Sequence, residues 1–326
     1  MAGGQERILR RRIRTVQSTK KITRAMELIA ASRIVRAQAR VHAARPYSEQ
    51  ITQVIRNLAS GGAGVASPLL QARPEVKRVA VIVVTADRGL CGAYNSSVIR
   101  AAERAIQERR RQGQELFLVT VGRKAESYFR YREYHIDASF HGFSDSPGYE
   151  DARAVAAAVA EPFAEGTVDL VLVFYTQFLS AGTQVVVERP LMPLDPATLG
   201  AAPAEAEGGA QATYEFEPGP DVILDRLLPR YAEARLFAAM LDAAASEHAA
   251  RQRAMKSATD NAEELITKLT RIMNRARQDA ITTEIMEIVG GAEALRAGAD
   301  GPSDYLVDQV GNDDYFAERQ LERSKR

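Results

Sequence analysis

The sequence predicts an α/β fold: a small parallel-sheet, Rossmann-like domain flanked by long N- and C-terminal helices that form an antiparallel coiled coil. Three observations carry this. Residues 6–59 hold no Gly and a single Pro, the middle of the chain holds short apolar runs separated by helical stretches, and residues 231–289 hold neither Gly nor Pro.

The first 60 residues are rich in helix formers and read as one helix. Its apolar positions, Ile22, Met26 and Ile29, then Ile34, Ala37, Val41 and Ala44, recur at steps of three and four, which places them on one stripe. The stripe is narrow and Ala-rich, a seam suited to close packing against another helix. Pro46 is expected to perturb the helix locally, and Gly61, Gly62 and Gly64 to end it.

Residues 79–84, 116–121 and 168–175 are short, β-branched and almost continuously apolar, the signature of strands buried on both faces. Helical stretches over 96–112 and 149–165 lie between them, so the order strand, helix, strand implies right-handed crossovers and a parallel sheet. Residues 184–188 read as one more strand, closed by Pro190 and Pro193. From 194 to 219 the composition turns to Ala, Pro, Gly and Glu, and a mobile loop is expected.

Helix resumes at Asp221, with a seam through Ala258, Ala262, Leu265, Leu269, Ile272 and Ala276, continued by Ile281, Ile285 and Ile288. The alternative, that each terminal helix lies on a sheet face as crossover helices do, conflicts with its length: about 55 residues span on the order of 80 Å, beyond the reach of a few strands. The organisation is therefore 1–60 coiled-coil helix, 61–220 α/β domain, 221–295 coiled-coil helix, and a weakly ordered acidic tail over 296–326.

Composition narrows the function classes. No apolar run approaches the roughly 18 to 20 residues of a membrane span, and the polar, basic start is no secretory signal, so a cytoplasmic address is expected. One cysteine, Cys91, and four scattered histidines offer no metal-ligand spacing, so neither a metal nor a cofactor is expected. The net charge of +1 conceals a strongly cationic first helix, which seeks an acidic partner.

The most enzyme-like stretch is Asp87, Arg88, Gly89, Leu90, Cys91 and Gly92, directly after a strand and ahead of a helix, where a phosphate cradle would sit. It has two of the three glycines of a dinucleotide fingerprint, no Lys-Ser/Thr pair and no ribose clamp, and fits a tight turn better. Cys91 reads as a small buried residue. Glu284 and Glu287 share a helix face as an acid and a base do, but an exposed helix offers no cleft, so they read as solvated or partner-facing charges. The basic and aromatic cluster Arg123, Tyr128, Phe129, Arg130, Tyr131 and Arg132 suggests nucleic acid, yet its spacing fits a helix with one buried aromatic side.

Four ordered stretches point to one family. Lys21-Ile22-Thr23-Arg24-Ala25-Met26-Glu27-Leu28-Ile29-Ala30-Ala31-Ser32, Thr85-Ala86-Asp87-Arg88-Gly89-Leu90-Cys91-Gly92, Met255-Lys256-Ser257-Ala258-Thr259-Asp260-Asn261-Ala262 and Ile281-Thr282-Thr283-Glu284-Ile285-Met286-Glu287-Ile288-Val289-Gly290-Gly291-Ala292 resemble the signatures of gamma subunits of proton-transporting F-type ATP synthases, bacterial type. The resemblance implies a central rotor shaft rather than a catalyst. It implies partners: three alpha and three beta subunits, an epsilon subunit and a membrane c ring, with no nucleic acid, no cofactor and a place on the cytoplasmic face of the membrane. By matching position it implies alpha/beta-ring contacts at Arg24, Met26, Arg251, Gln278, Thr282 and Glu284, and c-ring or epsilon contacts at Tyr214 and Glu217. The tail from about residue 295 runs past the family's usual end, and the single Cys91 provides no dithiol switch. A dinucleotide enzyme, a nucleic-acid-binding coiled coil and an unrelated scaffold would each lack these four ordered motifs.

Overall fold

The computed structural model of the chain describes residues 2–60, 69–194 and 219–299. The elements are α1 (Ala2–Ser60), β1 (Arg78–Val84), α2 (Tyr94–Arg111), β2 (Glu115–Val121), α3 (Arg123–Tyr131), β3 (Ala138–Phe140), α4 (Tyr149–Ala164), β4 (Leu170–Phe178), β5 (Gln184–Met192) and α5 (Pro220–Ala299). Nearly all of the loop expected over 194–219, and the tail beyond 299, lie outside the described residues. Packing separates two compact units: Lys20–Asp260, and a second made of Met1–Thr19 with Asn261–Arg326.

The larger unit is built on a five-stranded sheet of order β3-β2-β1-β4-β5. The first four strands are parallel, and β5 returns antiparallel to β4 through a tight turn closed by Thr183 N–H donating to Ser180 O. Along β1, Val79, Val81 and Val83 pack with Val98 and Ile106 of α2 and with Phe129 of α3, whereas Ala80, Ile82 and Val84 join Val155, Val159 and Phe163 of α4 on the other face. Both faces are dry, which is why the strand reads as a continuous apolar run. Each fully buried Val or Ile contributes roughly 1.5–3 kcal/mol, so β1 anchors the unit. Strand β3, only three residues long and partly exposed, carries no apolar run and was not anticipated.

The terminal helices pack on the sheet as well as on each other. Ile51, Ile55 and Leu58 of α1, with Leu228, Leu236 and Ala243 of α5, belong to the same core as α4 and the sheet. Further from the sheet the two helices run antiparallel: Thr23 bonds Thr259, while Arg33, later in α1, and His248, earlier in α5, both bind Asp145.

Burial along α1 follows unbroken steps of three and four: 6, 9, 13, 16, 20, 23, 27, 30, 34, 37, 41, 44, 48, 51, 55 and 58 are covered or half-covered. This is a heptad spacing, 3.5 residues per turn. It confirms Ile34, Ala37, Val41 and Ala44 as the seam and corrects the first half, where Thr23, Glu27 and Ala30 are buried and Ile22 and Ile29 are exposed. The α5 seam is likewise Met255, Thr259, Ala262, Ile266, Leu269, Met273, Ala276 and Ala280, while Leu265 and Ile272 face outward. On α1 polar residues occupy seam positions while apolar ones stand outside; on α5 apolar residues stand at both candidate phases, Leu265 beside Ile266 and Ile272 beside Met273, and the pattern does not choose between them. Pro46 leaves α1 continuous, and α5 runs through Gly290 and Gly291 to Ala299, slightly beyond the expected end at 295.

Candidate functional site

On α1, the buried Glu27 carboxylate is held by Arg24, whose Nη1 donates to both carboxylate oxygens at 3.0 and 2.9 Å. Arg24 itself is largely exposed, so it neutralises a seam charge while presenting its outer edge to solvent. Around it Ile22, Leu28 and Ile29 are more than half exposed, and Met26 is half-buried. A helix that is covered on its polar positions and bare on apolar ones offers that bare face to a partner.

The turn after β1 answers the question of a phosphate cradle. The Asp87 carboxylate accepts three backbone N–H bonds, from Arg123 at 3.1 Å, Gly142 at 2.8 Å and Ser144 at 3.2 Å. Burial alone would raise its pKa, but these amides hold it below the ordinary carboxylate range. Asp87 thus places the protein's own anion at the N-terminus of α3 and on the loop after β3. The next two amides of α3 are also satisfied, Lys124 N–H by Ala86 O and Ala125 N–H by Thr85 Oγ1. Gly122 makes the close approach possible: with φ of +91°, a Cβ there would stand 2.2 Å from Thr85 O.

Cys91 sits beneath this turn, buried, with Asn95 Nδ2 donating to its Sγ at 3.0 Å. Burial pushes its thiol up, with the Arg251 cation opposing, so it is a packed side chain and not an activated thiolate. The basic and aromatic cluster is α3, where Phe129 is fully buried and Tyr131 exposed.

Arg251 faces inward. Its Nη2 donates to Glu247 Oε1 at 2.8 Å and to Gly89 O at 3.3 Å, and only 11% of its side chain is exposed. Burial raises the Glu247 carboxyl against the pull of Arg251; the Ser144 hydroxyl also favours the carboxylate without completing a hydrogen bond to Oε2. His248 Nε2 meets Asp145 O at 3.1 Å, and burial lowers its pKa, keeping the ring neutral. Met26, Arg251 and the loop from Asp87 to Leu90 line a common cavity of about 590 Å³, so two of the positions singled out in the sequence come together here.

In the smaller unit, Ile13 of α1 and Leu269 of α5 are buried. Gln278, Thr282 and Glu284 are exposed on α5, and every residue from 281 to 296 is exposed. Ile281, Ile285, Met286, Ile288, Val289 and Leu295 are each at least 48% accessible, an apolar helix end with no companion helix among the described residues. Tyr214 and Glu217 lie outside the described residues. Sequence reasoning missed the seam roles of Thr23 and Glu27, which an uninterrupted heptad count through polar positions would have found, and the nest around Asp87, which depends on backbone from the start of α3 and the loop after β3.

Residues 5–295 match the family model described as ATP synthase. The chain is 54% identical to the ATP synthase gamma chain of Parafrankia sp. (strain EAN1pec), covering 91% of this chain and 99% of that one. The chain belongs to the ATP synthase gamma chain family. The gamma chain of Frankia casuarinae is 53% identical over 90% of this chain and 99% of its own, and that of Streptomyces coelicolor 46% identical over 93% and 99%. Among solved structures, a chain of the Euglena gracilis mitochondrial ATP synthase (OSCP/F1/c-ring, rotational state 3) shares the fold with a TM-score of 0.63 at 17% identity, covering 93% of this chain and 98% of that one. A chain of the central stalk and c ring of the Tetrahymena thermophila mitochondrial enzyme gives 0.56 at 22% identity, over 73% and 99%. As expected of a gamma chain, long terminal helices flank a mostly parallel five-stranded sheet. Among the described residues no helix is long and apolar enough to cross a membrane.

Proposed function

We propose that the chain is the non-catalytic central rotor shaft of a proton-translocating F-type ATP synthase. It turns inside a ring of three alpha and three beta subunits, rests with epsilon on the membrane c ring, and works on the cytoplasmic face of the cell membrane. The observation that carries this reading is the bare apolar end of α5: six large apolar side chains between 281 and 295 stand in solvent on a helix with no companion among the described residues. A surface of that kind demands a sleeve, and a ring of subunits closing around a single helix supplies one.

The mechanism is coupling by differential contact. One asymmetric shaft inside three equivalent sites cannot present the same face to all of them, so each rotor angle stabilises a different conformation at each site. On this reading Arg24 and Met26 on α1, and Gln278, Thr282 and Glu284 on α5, touch the ring. Arg251 acts from beneath, holding the loop that carries Arg88 and Leu90. Tyr214 and Glu217 meet epsilon and the c ring. Residues 1–60 and 221–295 form the shaft, 61–220 the body above the membrane, and 296–326 an acidic extension.

The test is purification of a tagged chain from its native cells, followed by partner identification and an ATPase assay. Recovery with alpha, beta and epsilon chains and ATP hydrolysis supports the shaft; recovery alone or with nucleic acid refutes it. In the purified complex, replacing Ile281, Ile285 and Ile288 with Ser together should lower ATP-driven proton pumping several-fold, while the isolated chain keeps its melting temperature because all three are exposed.

A further inference from the structure

The first turns of α1 carry a charge that nothing among the described residues balances. Residues 2–19 hold five arginines, Arg7, Arg10, Arg11, Arg12 and Arg14, against one acidic residue, Glu6. Glu6 is taken by Arg10 at 2.6 Å, and among the described residues Arg7, Arg11, Arg12 and Arg14 pair with no carboxylate. All four are exposed. Arg7, Arg11 and Arg14 stand at steps of four and three, so they share one stripe of the helix and repel one another. Ile8, 68% exposed, lies beside the stripe, three and four residues before Arg11 and Arg12. Water alone suits the arginines but not Ile8, so the surface fits a partner that is acidic and apolar at once.

The chain carries such a segment in the same compact unit. Residues 300–318, past the family match that ends at 295, contain six acidic residues and no Lys or Arg. Within them Asp313-Asp314-Tyr315-Phe316 sets two carboxylates directly before two aromatic rings. Its reach fits as well. Cover on α5 stops at Ala280, where α1 begins, and α5 continues to Ala299. The way back from Ala299 is about 36 Å to Arg7 and about 47 Å to Arg14, at 1.5 Å per helical residue. Residues 300–313 span at most about 50 Å when extended, so Asp313 and Asp314 are the first carboxylates that come to the whole stripe; Asp300, Asp304 and Asp308 fall short of it.

We propose that residues 300–318 lie back along the chain's own α1, with Asp313 and Asp314 on the Arg7, Arg11 and Arg14 stripe and Tyr315 and Phe316 beside Ile8 and Arg12. Exposed ion pairs are individually weak, but the tether holds the segment at an effective concentration on the order of millimolar, and aromatic faces add attraction for the guanidinium groups. An extended strand covers one side of a helix roughly 10 Å across, so most of the apolar end of α5 stays bare. Any anionic partner that comes to the start of α1 has to displace this segment first. The contact belongs to the chain alone and does not rest on the shaft reading.

The test is disulfide trapping in the isolated full-length chain carrying Thr15→Cys and Ala317→Cys. With Asp313 beside Arg7, Ala317 lies roughly 13 Å further along the segment and Thr15 about 12 Å further along α1, so the two come level. Thr15 is exposed, and Cys91, 1% exposed, does not compete. The expected result is an internal disulfide that forms at a rate independent of chain concentration. Adding Asp313→Asn/Asp314→Asn, or raising salt to about 1 M, should slow it at least tenfold. A rate that ignores both changes is random encounter of a tethered segment; that result, no disulfide at all, or linkage only between two chains each overturns the proposal.

Discussion

Thr23 on α1 and Thr259 on α5 join their hydroxyls across the helix seam at 2.8 Å, both almost fully buried. Thr23 also lies within bonding distance of Lys20 O and Thr259 of Met255 O, so one hydroxyl donates across the seam while the other donates to its own helix. A link of this kind fixes which turn of one helix faces which turn of the other. Thr23→Val should cost about 1 kcal/mol, because it removes the bond across the seam and leaves Thr259 only the one to Met255 O, whereas Thr23→Val/Thr259→Val should cost less than the sum of the two single changes. Urea denaturation of the four proteins in a double-mutant cycle measures this, and strictly additive costs would contradict it.

Gly122 is the tightest point of the loop cluster. Gly122→Ala drives a methyl group against Thr85 O and forces an L-residue to φ of +91°, so the expected loss is about 3 kcal/mol or more. Melting temperature of the isolated chain should fall by several degrees, and the same change at Gly113, whose Cβ would meet open space, should cost markedly less.

Asp242 gives the chain a stability slope in acid. Burial pushes its carboxyl up to about 6, against the pull of Arg189 and Arg45. The unfolded value is about 3.9, so between these two values the folded state holds the proton more tightly. For this group stability is highest below about pH 4 and declines as pH rises through 6. Asp242→Asn should remove that decline and raise stability at pH 8 by on the order of 1–2 kcal/mol, after discounting for the group's partial exposure. Chemical denaturation at pH 5 and pH 8 reads the difference, and an Asn variant no more stable at pH 8 would count against it.

Arg251 is the point where a partner-contact role and an internal one make different predictions. Its guanidinium covers a carboxylate that is 2% exposed, so Arg251→Met should destabilise the isolated chain by about 3–5 kcal/mol. Glu247→Gln/Arg251→Met should recover most of that, because no charge is left alone in the core. A variant that keeps full stability by itself and loses only ring binding would reassign Arg251 to the surface.

The sheet and the lengths of the terminal helices were legible because burial on both faces writes continuous apolar runs, as in Val79 to Val84, and because long stretches free of Gly and Pro leave few alternatives to helix. The phase of the seam was legible where the rule that apolar means inside holds, from Ile34 to Ala44 on α1 and at Ala262, Leu269 and Ala276 on α5. It failed at Ile22, Ile29, Leu265 and Ile272, which face outward while Thr23, Glu27 and Thr259 are buried. A chain shaped for contact with other subunits puts apolar groups outside, and one sequence alone does not distinguish that from a core. The Asp87 nest was illegible for another reason: its donors are backbone amides 36 to 57 residues away, and backbone carries no sequence signature.

The uncovered end of α5 also bears on how a cell must handle this polypeptide. A copy without partners displays Ile285, Met286, Ile288 and Val289 to solvent on one short length of helix. Such a surface is what chaperones hold and proteases clear, and two orphan copies will stick to each other through it. Synthesis therefore has to be matched to the supply of the subunits that cover it, and any surplus is waste that the cell must remove.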